Sequence, residues 1–187
     1  MLSPRFFLLG TVFMLSTLLS GLHISSISAA EQYRIYVGTY TRGSDSKGIY
    51  QLLLDCETGK LSHAGTTEGI ENPSFLAVHP NQKFLYAVNE IGNYQGTQAG
   101  AVSSFAIDAE TGKLTFLNQQ SSKGAAPCHL VVDATGKYVL VANYSGGSIC
   151  SLPIRENGKL KKKCYVHSTH WFQRESGTSN GSSCTFH

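Results

Sequence analysis

What this chain lacks narrows its class first. Between Glu31 and Lys163 no stretch of ordinary length places apolar residues at amphipathic-helix spacing, which argues against a helical bundle or an alternating α/β fold. The net charge is only +3, and 14% of residues are charged, so neither nucleic acid nor an anionic membrane is an expected partner. There is no Gly-rich phosphate loop and no Gly-x-Ser-x-Gly nucleophile elbow. The five cysteines (Cys56, Cys128, Cys150, Cys164 and Cys184) are odd in number, and their spacings form no disulfide framework. Cys56, Cys128 and Cys150 fall in or beside expected strands, where a small buried thiol is the expected role. Cys164-x-x-His167-x-x-His170 gathers metal-ligand types at a spacing that matches no usual zinc set, so neither a metal nor a cofactor is expected.

The amino terminus reads as an export signal rather than as part of the fold. Arg5 supplies the positive start, Phe6 to Leu19 is an apolar run, and Ser28-Ala29-Ala30 offers small residues for a peptidase before Glu31. The run is short for a membrane-spanning helix, so no lasting membrane span is expected after cleavage. The reading is a signal-peptide helix over 1–30 and an exported, periplasmic or extracellular protein. Asn143-Tyr-Ser145 and Asn180-Gly-Ser182 match a glycosylation sequon that matters only in a eukaryotic secretory pathway.

What is present is a repeat. Pro73-Ser-Phe-Leu-Ala-Val leads to Leu85-Tyr-Ala-Val-Asn89, and Pro127-Cys-His-Leu-Val-Val leads to Tyr138-Val-Leu-Val-Ala-Asn143. Pro127 follows Pro73 by 54 residues, and Asn143 follows Asn89 by the same 54. A Gly-Lys-Leu hairpin turn recurs from Gly59, Gly112 and Gly158. The spacing predicts four strands per unit, the first the most uniformly apolar, as suits the covered inner strand of a propeller blade. Strands are expected over Tyr33 to Thr39, Gly48 to Asp55 and Leu61 to Glu68. Those of the second unit are Ser74 to Val78, Leu85 to Asn89, Ala101 to Asp108 and Leu114 to Gln120. Those of the third are His129 to Asp133, Tyr138 to Asn143 and Ser148 to Ile154. In this register the chain enters on the second strand of a blade, without an innermost strand before it. From Cys164 onward the alternation breaks down, and 164–187 reads as a disordered tail. The expected organisation is therefore an all-β, incomplete propeller over 31–163, about three blades of a ring.

Several stretches together resemble the seven-bladed β-propeller lactonase family, whose best-known members are 6-phosphogluconolactonases and which includes a carboxymuconate cyclase. They are Tyr36-Val-Gly-Thr-Tyr-Thr41, Asn72-Pro-Ser-Phe-Leu-Ala-Val-His-Pro80, Leu85-Tyr-Ala-Val-Asn-Glu90, Pro127-Cys-His129 and Val141-Ala-Asn-Tyr-Ser-Gly-Gly-Ser148. The resemblance covers about 33–163 and implies a sugar lactone as substrate. Seven such blades need on the order of 300 residues or more, so it also implies a fragment. The family's substrate-binding arginines and acidic residue come mainly from later blades and have no counterpart here.

Opening a lactone needs a base near neutrality and donors for the oxyanion, and histidine is the natural base. His129 is the first candidate. It begins an inner strand, and the earlier unit has Phe75 at that place. Glu90 is a second catalytic candidate, because its repeat equivalent is Tyr144. Asn143 is a candidate for substrate binding, although its recurrence as Asn89 also suits a structural turn. His79 and its equivalent Asp133 read as turn residues bonding local backbone, and Arg34 and Arg42 as solvated surface groups. Two rivals stand beside a hydrolase of a sugar lactone such as 6-phosphogluconolactone. One is an exported, non-enzymatic binding propeller. The other is a cyclase-like enzyme. An export signal sits badly with phosphorylated sugar metabolism, which points to an unphosphorylated lactone. An unclosed ring exposes two apolar blade faces, so self-association and loss of activity are expected of the 187-residue chain.

Overall fold

The computed structural model describes residues 31–168. The expected signal segment and the tail from Thr169 onward lie outside the described residues. The first sheet has three strands in the order β1 (Gln32–Val37), β2 (Gly48–Asp55), β3 (Leu61–Glu68). The second runs β4 (Leu76–Val78), β5 (Phe84–Asn89), β6 (Ala101–Ile107), β7 (Leu114–Ser121). The third runs β8 (Pro127–Val132), β9 (Tyr138–Asn143), β10 (Ser148–Pro153), β11 (Tyr165–Ser168). Every pairing is antiparallel and sequential, so each sheet is a meander. There is no helix among the described residues. Among the described residues the first sheet has no inner strand, in keeping with the register of the repeat.

Three features differ from the sequence reading. Tyr165–Ser168 pair with Ser148–Ser151 and supply the fourth strand of the third sheet, beyond the boundary expected at Lys163. All four of these residues are exposed, and an outer strand with no buried face shows no apolar alternation to read. Cys150 is also not a free thiol, since it is joined to Cys164 in a disulfide that ties this strand's approach to β10. Cys56 is free and exposed and Cys128 is free and only partly buried, so neither is the buried thiol that its place beside a strand suggests.

Two apolar layers join the three sheets. Ile49 and Ile70 of the first unit pack with Leu85, Ala87, Phe105 and Leu114 of the second. Tyr86, Val88 and Val102 from the other face of the second sheet pack with Leu130, Val139, Val141 and Leu152 of the third. The middle sheet is thus covered on both faces, which is why Leu85 to Val88 form an unbroken buried run rather than an alternating one. The third sheet alternates: Val139 and Val141 are buried, while Tyr138 and Leu140 face outwards with Val131 and Ile149. At roughly 1.5–3 kcal/mol for each fully buried large apolar side chain, these layers dominate the association of the sheets.

Polar ties repeat across both layers. Tyr36 Oη donates to the Gly112 carbonyl at 2.6 Å, and Gln51 Nε2 donates to the Thr111 carbonyl at 2.6 Å. One unit later Tyr86 Oη donates to the Gly158 carbonyl at 3.1 Å. Burial pushes the Tyr86 phenol well above its ordinary pKa, so it remains a donor. Each acceptor lies in the Gly-Lys hairpin turn of the following sheet. His79 and Asp133 do bond local backbone, as their turn positions suggest. Asn81 N–H donates to His79 Nδ1, and the amides of Thr135, Lys137 and Tyr138 donate to the Asp133 carboxylate. His79 also reaches the next sheet, where its Nε2 meets the Gly136 carbonyl at 2.9 Å.

Two consequences can be measured. Gly59 and Gly158 share positive φ (69° and 78°), but a Cβ on Gly59 meets nothing within 4 Å, whereas one on Gly158 lies 2.2 Å from Phe84 Cδ1. Gly59→Ala should cost about 1–2 kcal/mol of backbone strain, and Gly158→Ala about 2–4 kcal/mol, because Phe84 must also move. Equal losses in urea melts would show that the Gly158–Phe84 contact does not hold the sheets together. The second consequence concerns acid. Hydrogen bonds from the Thr135 hydroxyl and then from backbone amides push the Asp133 carboxyl down to about 2. Its stabilisation is therefore present above the ordinary value of about 3.9 and is lost as pH falls through about 2. The stability deficit of Asp133→Asn should be full at neutral pH and shrink between about pH 4 and pH 2; a deficit independent of pH would contradict this.

Candidate functional site

Antiparallel meanders put the starts of the inner strands and the ends of the second strands at one mouth of the assembly. Phe75 and His129 precede or begin the inner strands β4 and β8, which lie against each other. Glu90 and Tyr144 follow the second strands β5 and β9. Tyr40 follows β1, the second-type strand of the first sheet.

The structure brings two of the three expected site residues to this mouth. His129 is exposed, and its ring lies 4.3 Å from that of Phe75, centroid to centroid, at 49°. Its placement depends on an irregularity in β8: Pro127 pairs with Asn143 and His129 with Ala142, so Cys128 is the extra residue of a bulge. Bulges of this kind re-aim side chains at strand ends. On its other side His129 borders an open apolar groove of about 420 Å³, lined also by Val131, Leu140, Ile149 and His167.

Glu90 belongs to the same mouth through the residue beside Phe75. Its Oε2 accepts from Ser74 Oγ at 2.5 Å and from Tyr40 Oη at 2.8 Å. The carboxylate acceptor raises the Tyr40 phenol above its ordinary pKa. Asn72, buried and at φ 42°, fixes the backbone around this trio. Its Oδ1 accepts from the Thr41 and Arg42 amides at 3.0 and 2.9 Å, and its Nδ2 donates to the Glu90 carbonyl at 3.1 Å.

Asn143 does not join them. It is buried, and its Nδ2 donates to the Ser122 carbonyl and to Ser148 Oγ, both at 3.1 Å. Asn89 makes the matching bond to the Glu71 carbonyl at 2.8 Å. Each asparagine therefore fastens its second strand to the loop entering its own unit. Asn89 Oδ1 also accepts from Ser103 and Gln119, whereas Asn143 Oδ1 is buried with no partner among the described residues. The registers put Cys150 and Val166 where the earlier unit has Ser103 and Gln119, and neither replaces the lost donors. The arginines are engaged elsewhere: Arg34 Nη2 donates to the Glu110 carbonyl at 2.8 Å, and Arg42 is paired with Glu71. Among the described residues no group of three or more His, Cys, Asp or Glu is placed to hold a metal ion.

The family model for the seven-bladed β-propeller lactonases matches residues 34–180. The chain belongs to that family. A 6-phosphogluconolactonase of Bacillus subtilis is 38% identical over 130 residues, covering 70% of this chain and 36% of that protein. The solved structure of a Bacteroides fragilis protein with a provisional 6-phosphogluconolactonase assignment superposes with a TM-score of 0.63 at 43% identity, covering 73% of this chain and 36% of that one. The Pseudomonas aeruginosa periplasmic gluconolactonase superposes with a TM-score of 0.62 at 33% identity, covering 70% of this chain and 37% of that one. The chain thus spans little more than a third of the length of these propeller lactonase relatives.

Tyr40 and Ser74 were absent from the sequence candidates. A signal for Ser74 was nevertheless present, since the third unit has Ala126, Cys128 and Tyr144 where the second has Asn72, Ser74 and Glu90. The Tyr40–Glu90 bond has a direct optical test. In Glu90→Gln the Tyr40 phenol should titrate at lower pH than in the native chain, seen as tyrosinate absorbance missing from a Tyr40→Phe control. An unchanged midpoint would mean that the bond does not persist in solution.

Proposed function

We propose that this chain is part of a lactone hydrolase acting on an unphosphorylated sugar lactone outside the cytoplasm, with His129 as base and Glu90 holding the substrate. The observation that carries the reading is the exposed imidazole of His129 tilted against the Phe75 ring at the mouth that also holds the Ser74–Glu90 pair, in a chain of the lactonase family. Likeness to a periplasmic gluconolactonase and the signal-like segment over 1–30 support the choice of compartment and of an uncharged sugar.

The chemistry follows from these groups. His129 takes a proton from water as the oxygen attacks the lactone carbonyl. The tetrahedral oxyanion then collapses, the ring C–O bond breaks, and the leaving ring oxygen takes the proton back from the imidazolium. The products are a hydroxyl group and a carboxylic acid, which ionises at neutral pH. Glu90 accepts from a hydroxyl of the sugar and keeps the carbonyl facing the imidazole. The outward face of Val131, Tyr138, Leu140 and Ile149 is the repeat equivalent of the face by which the second sheet holds the third. It takes a further sheet of the same kind, or self-associates when none is present. Activity of the 187-residue chain alone should accordingly fall well below that of its longer relatives.

A chimera restores the ring for the test. Residues 34–168, which keep β11 and the Cys150–Cys164 disulfide, replace the matching stretch of the Bacillus subtilis relative, and δ-gluconolactone opening is followed against the buffer rate. The chimera should turn over, and His129→Ala should lose roughly 100-fold or more, the scale of a general base. A folded chimera without turnover contradicts the hydrolase reading, and an unchanged rate in His129→Ala removes His129 from the mechanism.

A further inference from the structure

Tyr40, Glu90 and Tyr144 occupy one structural position in three successive sheets. Tyr36 faces Gln51 across β1 and β2, Tyr86 faces Ser104 across β5 and β6, and Leu140 faces Ser151 across β9 and β10. Four residues beyond each of these comes Tyr40, Glu90 or Tyr144. Phe75 and His129 likewise share one position on neighbouring inner strands. The repeat therefore supplies two arcs at the mouth: an inner arc of two rings tilted against each other, and an outer arc in which one carboxylate stands between two tyrosines in the order of the repeat.

The outer arc is built asymmetrically. Both hydroxyl donors to Glu90 reach the same oxygen, Oε2, which leaves Oε1 without a partner among the described residues. The donors come from different sheets, Tyr40 from the first and Ser74 from the second. Asn72 locks them in register by bonding the Thr41 and Arg42 amides on one side and the Glu90 carbonyl on the other. A carboxylate held in this way is a fixed acceptor for a hydroxyl group. Arg42, two residues from Tyr40 on the same loop, is already paired with Glu71. The inner arc is only partly covered: Phe75 is 37% exposed and His129 is exposed. A flat phenyl ring and an imidazole beside a fixed acceptor suit a ring that carries C–H groups on its face and hydroxyls on its rim.

We propose that Tyr40 and Ser74 are positioning residues that hold Glu90 as the hydroxyl acceptor of a neutral sugar-ring subsite floored by Phe75 and His129. This rests on the lactone reading above only for the identity of the sugar; the subsite itself lies wholly within residues 40–129.

The probe is D-glucono-1,5-lactam, a neutral ring that does not hydrolyse. It is titrated into the full chain and followed by NMR shift changes, with thermal melts on every variant. Glu90→Gln should weaken binding about tenfold, as expected for losing a hydrogen bond to a charged group. Tyr40→Phe and Ser74→Ala should each weaken it roughly three- to tenfold. Ser74→Thr keeps the hydroxyl and should restore most of the affinity. The melting temperatures of the Ser74 pair should match, which separates positioning from folding. Lactam binding equal to the native chain's in Tyr40→Phe and Ser74→Ala overturns the proposal, as does a native chain that shows no lactam-dependent shifts. The two readings fail separately. Binding that follows Tyr40, Ser74 and Glu90 in a protein whose chimera opens no lactone keeps the subsite and removes the hydrolase. Lactone opening with binding indifferent to Tyr40 and Ser74 does the reverse.

Discussion

The whole molecule depends on sheets stacked face to face, each gripping the hairpin turn of the next. The grip has an apolar part and a polar part. Tyr86 contributes to both, since its ring lies in the apolar layer and its hydroxyl caps the Gly158 carbonyl. Tyr36 does the same for Gly112 one unit earlier. A carbonyl in a turn pressed against a neighbouring sheet has few routes to water, so a phenol on the facing strand satisfies it where an aliphatic side chain would leave it orphaned. The following glycine-bearing turn must come close enough for that bond. This is why Gly158 cannot take a Cβ without displacing Phe84.

Stacking is also what makes a site. Within one meander, the start of the inner strand and the end of the second strand lie side by side. Stacking sets those corners from successive sheets next to each other. Positions that are equivalent in the repeat then become neighbours in space, as Phe75 and His129 show. A repeat protein acquires chemistry at such corners by varying equivalent positions while keeping the scaffold residues between them. Pro73 and Pro127, and Asn89 and Asn143, are kept. Asn72, Ser74, Phe75 and Glu90 give way to Ala126, Cys128, His129 and Tyr144. The left-handed backbone survives the exchange, with φ of 42° at Asn72 and 51° at Ala126, so the corner keeps its shape while its chemistry changes.

Much of the fold was legible in the sequence because the repeat is strict where packing is strict. The three Gly-Lys turns mark hairpins whose glycines do take positive φ, but the buried run is the second strand β5 and not the inner strand that the sequence pattern marks as the covered one, since β4 and β8 border the open mouth and are only partly buried. The outer strand β11 was not legible, since no residue of Tyr165–Ser168 is buried and alternation records only burial. The Cys150–Cys164 pairing was hidden for a related reason: a cysteine count says nothing about which strands lie side by side. At the site, the departures of His129 and Glu90 from the repeat were visible. The bond from Tyr40 to Glu90 joins two sheets and follows from stacking alone, which no local pattern encodes. Asn143 was legible in both of its readings, and its burial and its bond to the Ser122 carbonyl favour the structural one.

Amide hydrogen exchange tests the stacking most directly, because it ranks strands by how completely they are covered. If the sheets pack as described, Leu85–Asn89 and Ala101–Phe105 of the middle sheet exchange slowest, β9 and β10 follow, and β1, β3 and β11 exchange fastest. Protection spread evenly over the three sheets, or concentrated in the first or third, would contradict a middle sheet held on both faces.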